Sequence, residues 1–216
     1  MTTLASYVRE VLDESEVALS ALLDGILNLS AFAKQIQPEV ARRARRDVSV
    51  GTIVVALCRY EIDARKRGNL CPKVQIETIS TRTGLTEITF AKTHASSARL
   101  SGLYEQPQLR NAEVLTVTSG IREISLIVPE SLTGAVRRVF RGETPTLVLA
   151  DLAGLTIRFP AKYLHVPNTT FALLRPLALN RINLVEVVST YTELTLIVAE
   201  RDLERTFVVL NRFKGS

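Results

Sequence analysis

The sequence predicts an α+β protein, with a helical N-terminal domain over residues 1–72 and two βαββαβ units over residues 73–216. Three observations carry that reading. The first is Arg181–Leu210, where β-rich runs Leu184–Thr190 and Glu193–Ala199 flank Tyr191-Thr192 as an antiparallel pair. Helical spacing of Leu203, Thr206, Phe207 and Leu210 comes next, with acidic residues in the first turn. The second is a repeat. Shifted by 70 positions, residues 115–130 fall on 185–200 with seven of sixteen identical, among them Ser119/Ser189, Glu123/Glu193 and Ile127/Ile197. The third is the N-terminal third, which has helical spacing and ends in a polar, turn-rich stop.

Taken in order, Leu4–Leu23 reads as one amphipathic helix with Leu4, Val8, Val11, Leu12 and Leu19 near one face, ended by Asp24-Gly25. Ser30 is placed to cap a short helix, Ala31–Ile36, which Gln37 before Pro38 should break, Pro38 opening the next. That third helix runs into Arg42-Arg43-Ala44-Arg45-Arg46, and Ser49 caps a longer one, Val50–Arg65. Lys66-Arg67-Gly68-Asn69 and Cys71-Pro72 mark the domain boundary. Beyond it, the shift of 70 also places Gly84-Leu85-Thr86 on Gly154-Leu155-Thr156 and Ala91-Lys92 on Ala161-Lys162. One register through the whole repeat is therefore expected, with units of about 77–146 and 147–216 and a turn at each Gly-Leu-Thr. Pro167-Asn168-Thr169-Thr170 then leads into an apolar helix that Pro176 should kink or end.

The stretch VPNTTFALLRPLALNRINLVEVVSTYTELTLIVAERDLERTFVVL resembles the regulatory ACT module of aspartokinases. That module runs from a Pro-Gly loop through a helix, an "INI…STS" strand and an "EI…VV…D" strand to a second helix. Asn168 stands where the family has glycine. The resemblance implies ferredoxin-like units with interleaved strands, Val74–Ser80 and Thr146–Asp151 each crossing over to finish the other unit's sheet. It also implies an amino-acid effector bound where a strand turns into its helix. The ligand-binding residues would then be Val166, Pro167, Asn168 and Thr169, together with Asn183, Leu184 and Val185 entering the next strand. Backbone N–H groups at the start of the Thr169–Asn180 helix suit a carboxylate. ACT units commonly pair, so a homodimer is expected.

Composition narrows the function further. With 46% hydrophobic and 23% charged residues, no apolar run approaches a membrane span and no signal peptide opens the chain. Two cysteines, Cys58 and Cys71, give no disulfide framework and point to a cytoplasmic protein. His94 and His165 lack metal-spaced partners, and no nucleophile elbow or phosphate-binding glycine loop is present. No catalysis, metal or cofactor is expected. Between Lys34 and Gly68 nine Lys/Arg face four Asp/Glu, a local +5 equal to the charge of the whole chain. LNLSAFAKQI…DVSVGTIVVALCRYE is similar to helix-turn-helix and winged-helix DNA-binding domains, which would put Arg42, Arg43, Arg45 and Arg46 on phosphates. Against that, the Val50–Arg65 helix opens apolar, and its apolar residues fall on two faces, suggesting burial on both. The expectation is an amino-acid-sensing regulator, acting on transcription or as the regulatory subunit of a metabolic enzyme without nucleic acid.

Overall fold

A computed structural model describes residues 3–65 and 71–212, without the side chains of residues 64 and 65. The chain divides into two compact units, Met1–Cys71 and Pro72–Ser216. The stop at Lys66–Asn69 lies outside the described residues.

The first unit is helical: α1 (Leu4–Asp13), α2 (Glu16–Leu23), α3 (Leu29–Ala44) and α4 (Val50–Arg65). The single helix expected over Leu4–Leu23 is two, because Ser15 leaves helical geometry and its hydroxyl accepts from the Ala18 N–H at 3.2 Å. The break expected at Pro38 is absent. Asn28, not Ser30, caps one continuous α3 by accepting from the Ala31 N–H at 3.0 Å. Proline removes one helical donor there, yet buried Phe32, Ala33, Ile36 and Val40 anchor the helix on both sides of it. Val8, Leu12, Leu22, Ile53 and Leu57 complete the core, and Tyr60 donates to Asp13 at 2.7 Å.

The second unit begins with β1 (Thr78–Ala91), followed by short helices α5 (His94–Ala98), α6 (Leu100–Glu105) and α7 (Pro107–Arg110). The hairpin β2 (Thr116–Ser119) and β3 (Glu123–Pro129) leads to α8 (Thr133–Val139). Then come β4 (Pro145–Arg158), α9 (Thr169–Leu179), the hairpin β5 (Glu186–Ser189) and β6 (Glu193–Ala199), and α10 (Leu203–Asn211). The strands form one antiparallel sheet in the order β2-β3-β1-β4-β6-β5. It is curled, since Thr118 on one outer strand donates to Glu186 on the other at 3.0 Å.

The turns expected at the two Gly-Leu-Thr triplets do not exist. Both lie inside strands of 14 residues, and Pro176 lies inside α9. Residues 78–82 of β1 pair with 154–158 of β4, while 85–90 of β1 pair with 145–152 of β4. The far end of each long strand thus lies beside the hairpin side of the other.

The register also corrects the repeat. Glu87 pairs with Ile127, and the residue paired with Ile197 is Gly154, an offset of 67 rather than 70 in the long strands. The hairpins keep the offset of 70, with Val117 opposite Leu126 and Val187 opposite Leu196. Backbone strain marks the same offset: Gly84 (φ 65°) and Asp151 (φ 54°) are both left-handed. Their strands are irregular there, and these are residue types that tolerate such a bulge. The second half therefore carries three extra residues between its long strand and its hairpin. The 3₁₀ turn Ala161–His165 stands, at the offset of 67, where α5 stands in the first half; two of the extra residues fall in 166–168, between that turn and α9, and the third between α9 and β5.

Candidate functional site

This turn and the longer segment after it build a cleft of about 420 Å³. Phe159, Tyr163, Leu164 and Val166 form one wall, Asn168, Thr169, Thr170 and Phe171 open α9, and Ser189, Thr190, Tyr191 and Leu194 of the hairpin close the third side. Asn168 takes φ 65°, the left-handed conformation that glycine favours, so the chain can turn into α9 without one. Its side chain makes no cap bond to the helix. Thr169 instead turns inward, its hydroxyl donating to the Val166 carbonyl at 2.8 Å. The first turn of α9 faces the cleft, with N–H groups that have no intrahelical acceptor.

Tyr163 fixes the wall. It is 8% exposed, and its hydroxyl donates to the Lys73 carbonyl and accepts from the Gln75 N–H, both at 3.0 Å. Lys162 lies 5.1 Å over the ring and donates to the Gln75 side chain at 2.9 Å. The opposite wall is anchored by the backbone: the Phe159 N–H donates to Thr192 at 3.0 Å and the Thr190 N–H to Glu193 at 2.9 Å. None of the twelve lining residues is charged. The cleft suits a small molecule with an apolar portion and an anionic group directed at the positive end of the helix dipole.

Of the ligand-binding residues read from the sequence, Val166, Asn168 and Thr169 line this cleft, and exposed Pro167 lies between them. Asn183, Leu184 and Val185 do not. They come after the C-terminal end of α9, which at eleven residues is about 16 Å long. There the Val185 N–H donates to Ile197 at 2.8 Å, and its side chain packs on Leu85, Ile127, Leu152 and Ile197. The sequence reading did not name the other lining residues, Phe159, Tyr163, Leu164, Thr170, Phe171, Ser189, Thr190, Tyr191 and Leu194. The available signal was the unequal spacing between long strand and hairpin in the two halves, hidden by aligning both at 70.

The arginine run is engaged elsewhere. Arg42 donates to Glu39 at 2.8 Å, and Arg43 donates to Glu39 at 2.6 Å and to Glu14 at 2.8 Å. The Arg42 and Arg43 guanidiniums hold the Glu39 carboxyl at about 2, and hydrogen bonding to Glu14 and Glu39 raises Arg43. Arg45 ends α3 in the left-handed region, and it and Arg46 are exposed. The second apolar face of α4 is not buried in its unit: Val55 is 51% and Ile62 60% exposed.

No protein-family model matches the sequence, and no curated protein is similar to it. Solved structures are similar in fold. The regulatory subunit of aspartate kinase from Thermus thermophilus, in its ligand-free form, aligns with a TM-score of 0.53 at 10% identity, over 63% of this chain and 97% of that one. Aspartate kinase from Clostridium acetobutylicum aligns at 0.54 and 13% identity, over 68% of this chain and 37% of its own. E. coli aspartokinase III, in complex with lysine and aspartate, aligns at 0.51 and 16%, over 66% and 34%. This chain thus spans about a third of the full-length kinases it matches, and it has the ACT-like fold of their regulatory parts. Among the described residues no helix is long and apolar enough to cross a membrane.

Proposed function

We propose that the protein is a non-catalytic, amino-acid-responsive regulator built from two strand-sharing βαββαβ halves and a helical unit that engages a partner. The observation that carries this is the cleft at the start of α9, an uncharged pocket aimed at a helix N-terminus within an ACT-like fold. The likeness to the regulatory subunit of an aspartate kinase supports a regulatory role. A metabolic enzyme is the favoured partner. Arg42 and Arg43 are spent on carboxylates, whereas Val55 and Ile62 on α4 offer apolar surface. Exposed Arg45 and Arg46 favour the second reading, a DNA-binding regulator. The protein works as a homodimer in the cytoplasm, where Cys58 and Cys71 remain thiols.

Screening the twenty amino acids by thermal shift tests the reading. An effector should stabilise the second unit by ~2.7 kcal/mol at a hundredfold excess over its dissociation constant. Tyr191→Ala should weaken it about tenfold by removing a stacking wall, while Asn183→Ala leaves affinity unchanged. If no amino acid shifts the transition, the sensing reading fails. Duplex retardation that falls with a log–log salt slope of about −0.9 per phosphate contact, and that is lost in an Arg45→Ala/Arg46→Ala variant, would move the partner to DNA.

A further inference from the structure

A second cleft, of about 320 Å³, opens on the face of the sheet opposite the one that packs Ile88 and Phe90. Arg82, Glu113, Thr156, Glu193 and Thr195 are among its polar groups, over a floor that includes Leu85, Gly154 and Ile197. We infer that this cleft binds a small zwitterion, an α-amino acid with a neutral or cationic side chain, at a site independent of the cleft on α9.

The duplication shows why the cleft exists in one half only. Gly154 occupies the position that Glu87 holds in the first half, each opposite the equivalent isoleucine of its hairpin strand. The hydroxyl pairs match as well, Thr89 with Ser125 at 2.7 Å and Thr156 with Thr195 at 2.9 Å. In the first half the Glu87 side chain occupies this space and is only 7% exposed. In the second half there is no side chain. A Cβ on Gly154 would meet only side-chain ends, Leu85 Cδ1 at 3.3 Å, Ile197 Cδ1 at 3.5 Å and Thr195 Cγ2 at 3.8 Å, so these side chains close over the position as the floor of the cleft.

The rims differ in the same way. Arg82 stands opposite Gly154 where Leu149 stands opposite Glu87, and Leu149 packs against the apolar cluster of the sheet. Glu113 takes the place of Asn183 under the shift of 70. One half has therefore filled the position, while the other has emptied it and ringed it with one guanidinium and two carboxylates. Arg82 and Glu113 contact each other at 2.5 Å and remain 46% and 69% exposed, so a ligand can separate them without desolvating a buried pair. A ligand carboxylate takes Arg82 in a forked pair, and its ammonium goes to Glu113 and Glu193. The Thr156–Thr195 pair offers hydroxyls to the same group, and the apolar floor takes the aliphatic part. A dianion is disfavoured, because the two carboxylates outnumber the one cation.

Calorimetry with L-lysine and L-threonine, against succinate as the dianion, tests the site on the full chain. Heteronuclear NMR at Gly154 and Thr195 locates the binding. Millimolar L-lysine or L-threonine should shift both amides, and succinate should not. Arg82→Ala should weaken that binding at least about tenfold, as loss of a charge-assisted pair does. Gly154→Glu, which restores the side chain of the other half, should abolish it. Tyr191→Ala in the α9 cleft should leave these shifts intact, so failure here and failure of the sensing reading are separable. Where Gly154→Glu does not fold, Arg82→Ala on the exposed rim decides alone. The proposal is overturned if neither amino acid moves these amides in the wild type, or if Arg82→Ala binds as the wild type does.

Discussion

The two halves of the sheet share a hairpin register and differ in the segment that leaves the long strand. In the first half the chain leaves β1 and closes on itself: the Thr93 hydroxyl accepts from the Ser96 N–H at 3.0 Å, and the Ser96 hydroxyl accepts from the Thr93 N–H at 2.8 Å. Ser96 is fully buried, and the cap is complete. In the second half a 3₁₀ turn stands in the place of α5, a longer segment follows it, Asn168 leaves the start of α9 without a side-chain cap, and a cleft opens. On the opposite face, buried Glu87 stands where the second half has Gly154, at the floor of a second cleft. Both halves keep the core, while only the second opens clefts at these positions.

Because β1 and β4 each run through both halves, damage to either core should unfold both. Phe90 stacks on Phe140 at 4.3 Å in the first half. Phe90→Ala should cost about 3–5 kcal/mol and lower a single transition that also reports the second half. Two separated transitions in urea, followed by Tyr104 and Tyr191 signals, would show that the halves are independent.

At the offset of 67 the first half has Ser96 in the place of Tyr163, so removing the Tyr163 hydroxyl should touch the second half alone. Tyr163→Phe leaves the Lys73 carbonyl and the Gln75 N–H without their partner and should cost roughly 1–3 kcal/mol. Hydrogen exchange should quicken at Gln75 and stay unchanged at Thr93 and Ser96. Faster exchange at Ser96 would show that the turn supports both halves.

Much of this was legible in the sequence. Both hairpins, α4 and α10 emerge from period and caps, because their residues satisfy local and tertiary demands together. Gly84-Leu85-Thr86 misled: glycine reads as a turn, whereas here it permits a left-handed bulge inside a strand whose partners lie 32 to 80 residues away. Val166, Asn168 and Thr169 could be grouped from the sequence because a helix start is a local signal. Tyr163 and Ser189 could not, since only the pairing of β4 with β6 and β5 with β6 brings their elements to one place. The arginines were visible as charge, but Glu10 and Glu14, which share Arg43 with Glu39, come from a different helix.

Glu87 distinguishes the halves by pH. Burial, and then the nearby Glu186 carboxylate, push its carboxyl above the ordinary carboxylate range, against the bonds from Ser125 and Thr89. A folded-state pKa above the unfolded value means that the native state binds the proton more tightly. This contribution to stability is full below the unfolded carboxylate pKa and is lost as pH rises through the raised value. Glu87→Gln should flatten that decline in urea midpoints. Glu186 lies on the outer strand that Thr118 joins, so Glu186→Gln should lessen the decline without abolishing it. A decline unchanged in Glu87→Gln would assign it to another group.

The smallest effect tests the offset of 67 itself. If Gly84 and Asp151 are equivalent bulge positions, both carry the same left-handed strain and differ only in residue type. Gly84 has nothing within 4 Å of a built Cβ, so Gly84→Ala meets no clash and reports backbone strain alone, about 1 kcal/mol destabilising. The reverse change, Asp151→Gly, relieves strain in the folded state and adds freedom to the unfolded chain. The two nearly cancel, leaving a change within about 0.5 kcal/mol of zero. Gly154, the partner expected from a uniform shift of 70, has no left-handed conformation, and its Cβ would press on Leu85 and Ile197. Gly154→Ala should therefore act through packing, and its cost should fall when Leu85 is shortened to Val. Gly84→Ala should show no such coupling to Ile127, the hairpin residue equivalent to Ile197. Were Gly84→Ala and Gly154→Ala to respond alike to those second substitutions, the offset of 70 would be restored and the three extra residues would lie elsewhere.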